Sequence, residues 1–177
     1  MNIPFSPKYD GFVKTLTYCS YDKRNARHVI ESDEKLIDFD DVKHLYVKKF
    51  RILHAPSSAD GFFADENNGY VLAEFKAGQI KAKDIVKKAY DSAFILCELQ
   101  SISLSWIREN VTFVLVRPIK DPSKSKDEQS FQAMVDAATK KSTEKIRFYI
   151  PEEIKGFIYK DVFEMTADEF KSKYIYK

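Results

Sequence analysis

Two short runs of mainly apolar residues, 58–65 and 70–78, stand on either side of a polar turn near the middle of the chain. Phe, Val, Leu and Tyr dominate both runs, which is typical of β-strands. The turn Glu66-Asn67-Asn68-Gly69 contains Asn-Gly, the strongest short hairpin signal. We therefore predict a β-hairpin around which the fold is organised.

Apolar residues recur at helical spacing in two further segments. In residues 40–50 the side chains of Val42, Leu45 and Tyr46 mark one face, and Asp38 or Asp40 is positioned to cap the helix. Residues 81–101 form the clearest helix. Its apolar stripe comprises Ile85, Ala89, Ser92, Leu96 and Leu99.

Other segments are assigned from their composition. Residues 51–55 are predicted to form a short strand, and the continuous apolar run 111–116 to form a central strand buried on both faces. Residues 12–19 fit either a strand or a helix. A polar loop (118–127), a helix (127–140), two strands (145–150 and 156–164) and a terminal helix opening at Thr166 should complete the chain.

These elements predict an α/β protein with a mixed sheet. Length and uniform composition favour one domain, residues 1–177. Its core, roughly residues 38–117, would follow the order helix, strand, hairpin, helix, strand. The additional helices and strands would lie towards the C-terminus.

Charged residues at the ends of the hairpin strands are the candidate chemistry. Glu74 and Lys76 are two apart, so a strand directs both to one face, opposite Val71, Ala73 and Phe75. Such charges are costly to bury unless they are paired or bind a ligand.

Asp60, on the preceding strand, could join Glu74 and Lys76. Opposite residues of an antiparallel pair share a face, so this needs an odd number of loop residues or a break near Gly61. We then expect the Asp60 and Glu74 carboxylates to lie about 3 to 6 Å apart, close enough for one cation.

The pattern Asp60, then Ala73-Glu74-Phe75-Lys76-Ala77-Gly78, resembles the PD-(D/E)XK nuclease superfamily, whose fold is restriction-endonuclease-like. Ala59 stands where the proline of the family name would be. The resemblance implies that Asp60 and Glu74 hold Mg²⁺ or Mn²⁺ and that Lys76 assists the attacking water or the phosphate. Carboxylate oxygens are the ligands that Mg²⁺ prefers.

The resemblance implies a metal-dependent nuclease that hydrolyses phosphodiester bonds, with DNA as the first expectation and RNA as the other. Nucleic acid would be its partner, and such enzymes often act as homodimers. The alternative is a catalytically inactive member of the same fold, which binds nucleic acid or protein and uses the hairpin charges as a structural ion pair.

The composition of the chain indicates a folded protein but does not decide whether it binds nucleic acid. A hydrophobic content of 44% is that of a folded protein, and a net charge of +2 neither requires nor excludes nucleic-acid binding. Cys19 and Cys97 lack the spacing of a zinc site. Without an apolar N-terminal run or a membrane-length segment, a cytoplasmic protein with no membrane partner is expected.

Basic residues cluster in two places outside the hairpin. The first cluster comprises Lys23, Arg24, Arg27 and His28, and the second, in the first turns of the long helix, comprises Lys81, Lys83, Lys87 and Lys88. Either cluster could be a solvated face or a phosphate contact. His54, at the end of a predicted strand, is more often structural than functional.

Overall fold

The computed structural model describes residues 5, 8–67, 69–78, 81–118 and 154–176. These residues form a mixed α/β structure in which helices cover both faces of a six-stranded sheet. This confirms the predicted fold class at that level. No helix in the described ranges is long and apolar enough to cross a membrane.

The strands of the described residues are β1 (Val13–Thr15), β2 (Tyr21–Asp22), β3 (Arg27–His28), β4 (Lys35–Asp38), β5 (Gly61–Asp65), β6 (Gly69–Phe75), β7 (Val111–Arg117) and β8 (Asp161–Thr166). Six of them form the main sheet in the order β1-β4-β5-β6-β7-β8, and β2 pairs with β3 in a small separate ribbon. Pairing is antiparallel from β1 to β6 and parallel from β6 to β8.

The helices of the described residues are α1 (Leu16–Cys19), α2 (Phe39–Phe50), α3 (Ala82–Gln100), α4 (Leu104–Asn110) and α5 (Ala167–Tyr174). A 3-10 turn, Asp10–Phe12, precedes β1. The long helix α3 connects β6 to the parallel strand β7, as a parallel pair requires.

The sheet separates two apolar cores. On one face Leu72, Phe113 and Leu115 pack with residues of α2, α3 and α4. On the other face Ala73 and Phe75 pack with residues of α1 and α5. The strands β6 and β7 are therefore covered on both sides, which explains the continuous apolar run predicted for a central strand.

Helix α2 begins one residue before the predicted segment 40–50, directly after one of its two predicted caps. The Asp38 side chain accepts a hydrogen bond from the Asp40 N–H, which confirms Asp38 as the cap. Its other end is closed by Arg51 in the left-handed conformation, with φ 54°. Because that conformation ends the helix with a sharp turn, the strand predicted at 51–55 does not form.

Other elements also differ from the expectations, among them the short strands β2 and β3, which were not predicted. Residues 12–19, which fitted either a strand or a helix, contain both. Strand β1 is followed directly by helix α1, whose N-cap is Thr15. Strand β4 and helix α4 were not predicted. Both are short, and β4 has only two apolar residues, Leu36 and Ile37, between charged ones.

At the C-terminal end, strand β8 starts five residues later than predicted and helix α5 follows it. The Thr166 side chain accepts from the Glu169 N–H while the Glu169 carboxylate accepts from Thr166, a complete capping box. The helix expected at 127–140 and the strand expected at 145–150 lie outside the described residues.

Gly69 provides a test of the hairpin. Its φ is +77°, and a Cβ there would lie 2.6 Å from the Asn110 carbonyl oxygen, whereas Gly156, with φ +71°, has open space around that position. Gly156→Ala should therefore cost only the backbone strain, about 1–2 kcal/mol. Gly69→Ala should cost about 1–3 kcal/mol more, because the clash adds to the strain. Urea denaturation of both variants measures the difference, and equal losses would contradict the close approach of β6 to the end of α4.

Candidate functional site

The register of the hairpin puts Asp60 beside Glu74. Asp65 pairs with Gly69 and Gly61 with Ala73, so three residues separate the two strands in sequence. The odd loop was one of the two predicted solutions. The pairing also departs from its regular register just before Gly61, because the Asp60 N–H donates to the Ala73 carbonyl, 2.9 Å away.

Asp60 is fixed by backbone groups on both sides. Its carboxylate Oδ2 accepts a hydrogen bond of 2.7 Å from the Phe75 N–H, and its carbonyl accepts one of 3.1 Å from the Phe39 N–H. The first bond joins Asp60 to the end of β6, and the second joins it to the start of α2. The remaining oxygen, Oδ1, is left to face the site.

Glu74 lies inside the protein. Its side chain has 0% exposure, on a strand that is paired on both sides and on the face covered by α3. Burial and, after it, the negative charge of Asp60 raise the pKa of Glu74 to about 7, against the opposite effect of Lys88 and Lys76. The carboxyl group therefore holds its proton more tightly than an ordinary glutamate does, although the two lysines favour its charged form.

Lys76 follows directly after β6. Its N–H donates to the Val116 carbonyl, and its Nζ lies 2.9 Å from Glu74 Oε1. The structure thus brings together all three residues that the sequence singled out. Both carboxylates and the Lys76 ammonium lie at the carboxyl end of β6.

Lys88 of α3 is the site residue whose role the sequence did not reveal. Its Nζ lies 2.7 Å from Glu74 Oε2 and 3.2 Å from Asp60 Oδ1. Those two oxygens are therefore no farther apart than the sum of the two distances, which agrees with the predicted separation. Desolvation acts to lower the pKa of Lys88, but the two carboxylates hold it above its usual value.

A sequence signal for Lys88 did exist. It lies three residues after Ile85 and four before Ser92, so it belongs to the stripe of α3 that faces the sheet. A lysine on an inward stripe must find a carboxylate or another acceptor. Because Lys88 stands in sequence among exposed lysines of the first turns, its inward position is not evident from the charge pattern.

The donor set fits a small hard cation. Glu74 Oε1 is buried and has no hydrogen-bond partner among the described residues, since Lys76 approaches it closely without forming an aligned bond. No group of three or more His, Cys, Asp or Glu side chains suited to a metal occurs in the described part of the chain. Mg²⁺, however, often takes only one or two carboxylates from protein, and Asp60 and Glu74 supply these.

A pocket of about 400 Å³ opens next to Lys76. Arg24 and Asn25, from the turn between β2 and β3, form one side of it, and Lys81 and Asp84, at the start of α3, form another. The two basic clusters noted in the sequence therefore each contribute one cation, Arg24 and Lys81, to one cavity beside the candidate site.

Asp22 connects the β2–β3 turn to the segment that follows β6 at this pocket. Its carboxylate accepts hydrogen bonds from the N–H groups of Arg24, Asn25 and Ala77. Desolvation acts to raise the pKa of Asp22, but the hydrogen bonds from Ala77 and Asn25 hold it below its ordinary value. Because these bonds occupy the carboxylate, its charge opposes an anionic ligand in the pocket less than that of a free acid would.

The other histidines and basic residues lie away from this chemistry. His28 is exposed, and its ring Nδ1 lies 2.8 Å from the Thr17 carbonyl, a structural contact. His54 is exposed in the segment after α2.

Comparisons of the chain with protein-family models, with curated proteins and with solved structures find no match. The resemblance to nucleases therefore stays a prediction from the residues of the site.

The raised pKa of Glu74 predicts how stability depends on pH. Because the folded pKa of about 7 exceeds the ordinary 4.5, the folded state binds this proton more tightly than the unfolded chain does. The stability that Glu74 contributes is complete below pH 4.5 and is lost as the pH rises through about 7. Glu74→Gln, which cannot titrate, should therefore gain up to about 3 kcal/mol on the wild type across this window.

Urea denaturation in the presence of a chelator, at several pH values, measures this difference. Glu109→Gln, at an exposed position of α4, is the control and should show no such trend. If Glu74→Gln were strongly destabilised above pH 7, the pairing of Glu74 with the lysines would be the dominant effect and Glu74 a structural residue.

Proposed function

We propose that the protein is a metal-dependent nuclease that hydrolyses phosphodiester bonds at Asp60, Glu74 and Lys76. The observation that carries this proposal is the buried carboxylate of Glu74. It faces Asp60 Oδ1 across a single lysine, and one of its oxygens has no hydrogen-bond partner among the described residues. That oxygen, Oε1, lies 2.9 Å from the Lys76 ammonium, so a charged group rather than an aligned hydrogen bond stabilises it.

Each residue has a distinct role in this proposal. Asp60 and Glu74 hold Mg²⁺ or Mn²⁺, and Asp60 is kept in position by the Phe75 N–H. When bound, the metal supplies positive charge to the phosphate and a more acidic water. The Lys76 ammonium, next to Glu74, lies where it can stabilise negative charge on a phosphate or orient the attacking water.

The arrangement of elements supports the proposal in part. Hairpin β5–β6, helix α3 and parallel strand β7 follow one another as expected of a restriction-endonuclease-like core. The strand expected between α2 and the hairpin is missing. Instead β4, which precedes α2 in the chain, pairs with β5.

The pocket beside Lys76 supports nucleic acid as the substrate class. Arg24 and Lys81 flank a cavity that adjoins Lys76, so a chain of phosphates could contact them while one phosphate lies at the carboxylates. Contacts of this kind position a backbone without reading its bases. DNA remains the first expectation, with RNA the alternative.

One observation favours the second candidate, a catalytically inactive protein. Lys88 and Lys76 together balance the charges of Asp60 and Glu74. A neutral, fully paired cluster of this kind is also what a purely structural ion-pair network requires. In that case the protein would bind nucleic acid or a partner protein without cleaving a substrate.

Purified protein with Mg²⁺ or Mn²⁺ should nick or cut nucleic acid. Asp60→Ala, Glu74→Ala and Lys76→Ala should each lower the rate by orders of magnitude, because each removes several kcal/mol of transition-state stabilisation. Plasmid DNA, single-stranded DNA and RNA are the substrates to compare by gel assay.

Glu109→Ala and Lys48→Ala, at exposed positions of α4 and α2, are matched controls that should retain activity. Circular dichroism establishes that each variant is folded. Cleavage by folded Glu74→Ala at nearly the wild-type rate would reject the nuclease assignment.

The double variant Arg24→Ala/Lys81→Ala should bind nucleic acid more weakly and with less dependence on salt. Removing two phosphate contacts should reduce the slope of log K against log salt by about 2. Fluorescence anisotropy with labelled DNA in a chelator measures the slope without cleavage. Lys48→Ala/Lys49→Ala, in the last turn of α2, removes the same charge elsewhere and should leave the slope nearly unchanged. Equal slopes in both double variants would show that the pocket does not contact the backbone.

A further inference from the structure

The Lys88 ammonium lies between the two carboxylates that are the candidate metal ligands. Its Nζ is within hydrogen-bonding distance of one oxygen of Glu74 and one oxygen of Asp60. Lys88 lies in α3, Glu74 in β6 and Asp60 directly before β5, so only the folded chain assembles the contact. The Lys88 ammonium therefore bridges the two acids.

We propose that Lys88 is an intramolecular counter-ion that occupies the metal position, so that metal binding is an exchange of Lys88 for the divalent cation. The inference rests on the proposed function, because it takes Asp60 and Glu74 as the metal ligands. Both carboxylates keep a positive partner in either state. In the metal-free protein the partner is Lys88, and in the loaded protein it is the metal.

The surroundings of Lys88 allow such an exchange without movement of the helix. The backbone of α3 is fixed next to it, because Ala89 is fully buried and its carbonyl accepts a hydrogen bond from the Tyr159 hydroxyl. The Lys88 side chain itself is 22% exposed. A flexible lysine with a route to solvent can therefore leave the carboxylates by rotating its own side chain.

The contact also explains how the Glu74 carboxylate can be buried. Two carboxylates at this separation repel each other, and a buried one without a counter-ion costs several kcal/mol. Lys76 lies beside Glu74 Oε1, whereas Lys88 contacts both acids, and the two lysines together balance the two negative charges. The exchange lowers the apparent metal affinity, because binding must first break the Lys88 contacts.

Isothermal titration with Mg²⁺ and Mn²⁺ alone tests the exchange. Lys88→Met keeps the length and apolar stem of the side chain but removes the competitor, so it should bind metal at least about tenfold more tightly than the wild type. Lys87→Met is the matched control. Lys87 lies one residue earlier and pairs with Asp91 rather than with the candidate ligands, so its loss should change the affinity little.

Thermal melts give a second readout on the same proteins. In chelator, Lys88→Met should melt several degrees below the wild type because Asp60 loses its ion pair with Lys88 and Glu74 keeps only Lys76, and saturating Mg²⁺ should restore most of that loss. Lys88→Arg retains the charge and should neither melt early nor bind metal more tightly.

Amine labelling of the wild type tests the exchange independently of any variant. Reductive methylation, read by mass spectrometry, should modify Lys88 several-fold faster with saturating Mg²⁺ than with chelator, while the rate at Lys87 stays constant. This measurement decides the matter even if Lys88→Met fails to fold.

The outcomes separate this inference from the proposed function. Tight metal binding by Lys88→Met alone supports the exchange even if the wild type cleaves nothing. Cleavage by the wild type, combined with unchanged metal affinity in Lys88→Met and unchanged labelling of Lys88, overturns the exchange and leaves the nuclease standing. Equal tightening in Lys87→Met, or no metal binding by either protein, also overturns it.

Discussion

The burial of the Glu74 carboxylate is the constraint on which the site depends. A central strand with both neighbours paired and helices on both faces offers a charged side chain no water, so its partners must come from the protein. Lys76 and Lys88 supply positive charge from the end of the same strand and from the helix above it. Asp60 adds a second negative charge that these lysines must also balance. The four residues therefore form one electrostatic unit.

The topology explains why these four side chains meet. An antiparallel hairpin followed by a helix and a parallel strand places the end of β6 and the start of α3 close together in space, because the crossover begins there. Residues just before β5 reach the same end, since the hairpin partner runs the opposite way. The fold thus gathers Asp60, Glu74, Lys76 and the early turns of α3 at one edge. It also brings the β2–β3 turn there through Asp22 and Ala77.

The sequence was sufficient for the parts of the structure that local patterns determine. The hairpin, α2 with its Asp38 cap, α3, β7 and the Thr166 capping box all have short-range signals, and the parity argument identified how Asp60 could join Glu74. The sequence was not sufficient where pairing with a distant strand determines whether a segment forms a β-strand. Strand β4 has too few apolar residues to be recognised alone, and the strand predicted at 51–55 has apolar residues but no partner. Lys88 could not be distinguished from the exposed lysines next to it in sequence, because a run of charged residues does not show which of them faces the sheet.

The two candidate functions make the same demand on the metal-free protein, so the paired cluster by itself does not separate them. A structural network and a metal site both need the acids neutralised, and Lys88 and Lys76 together do this in either case. The two functions differ in the free energy of the metal-bound state relative to the state in which Lys88 contacts both carboxylates. If a divalent cation binds the two carboxylates more strongly than Lys88 does, the lysine contact is a resting state whose cost lowers the metal affinity. If it does not, the same contact is permanent and the site is structural. The balance between one flexible ammonium and one divalent cation, rather than the presence of the motif, therefore decides whether this fold is an enzyme.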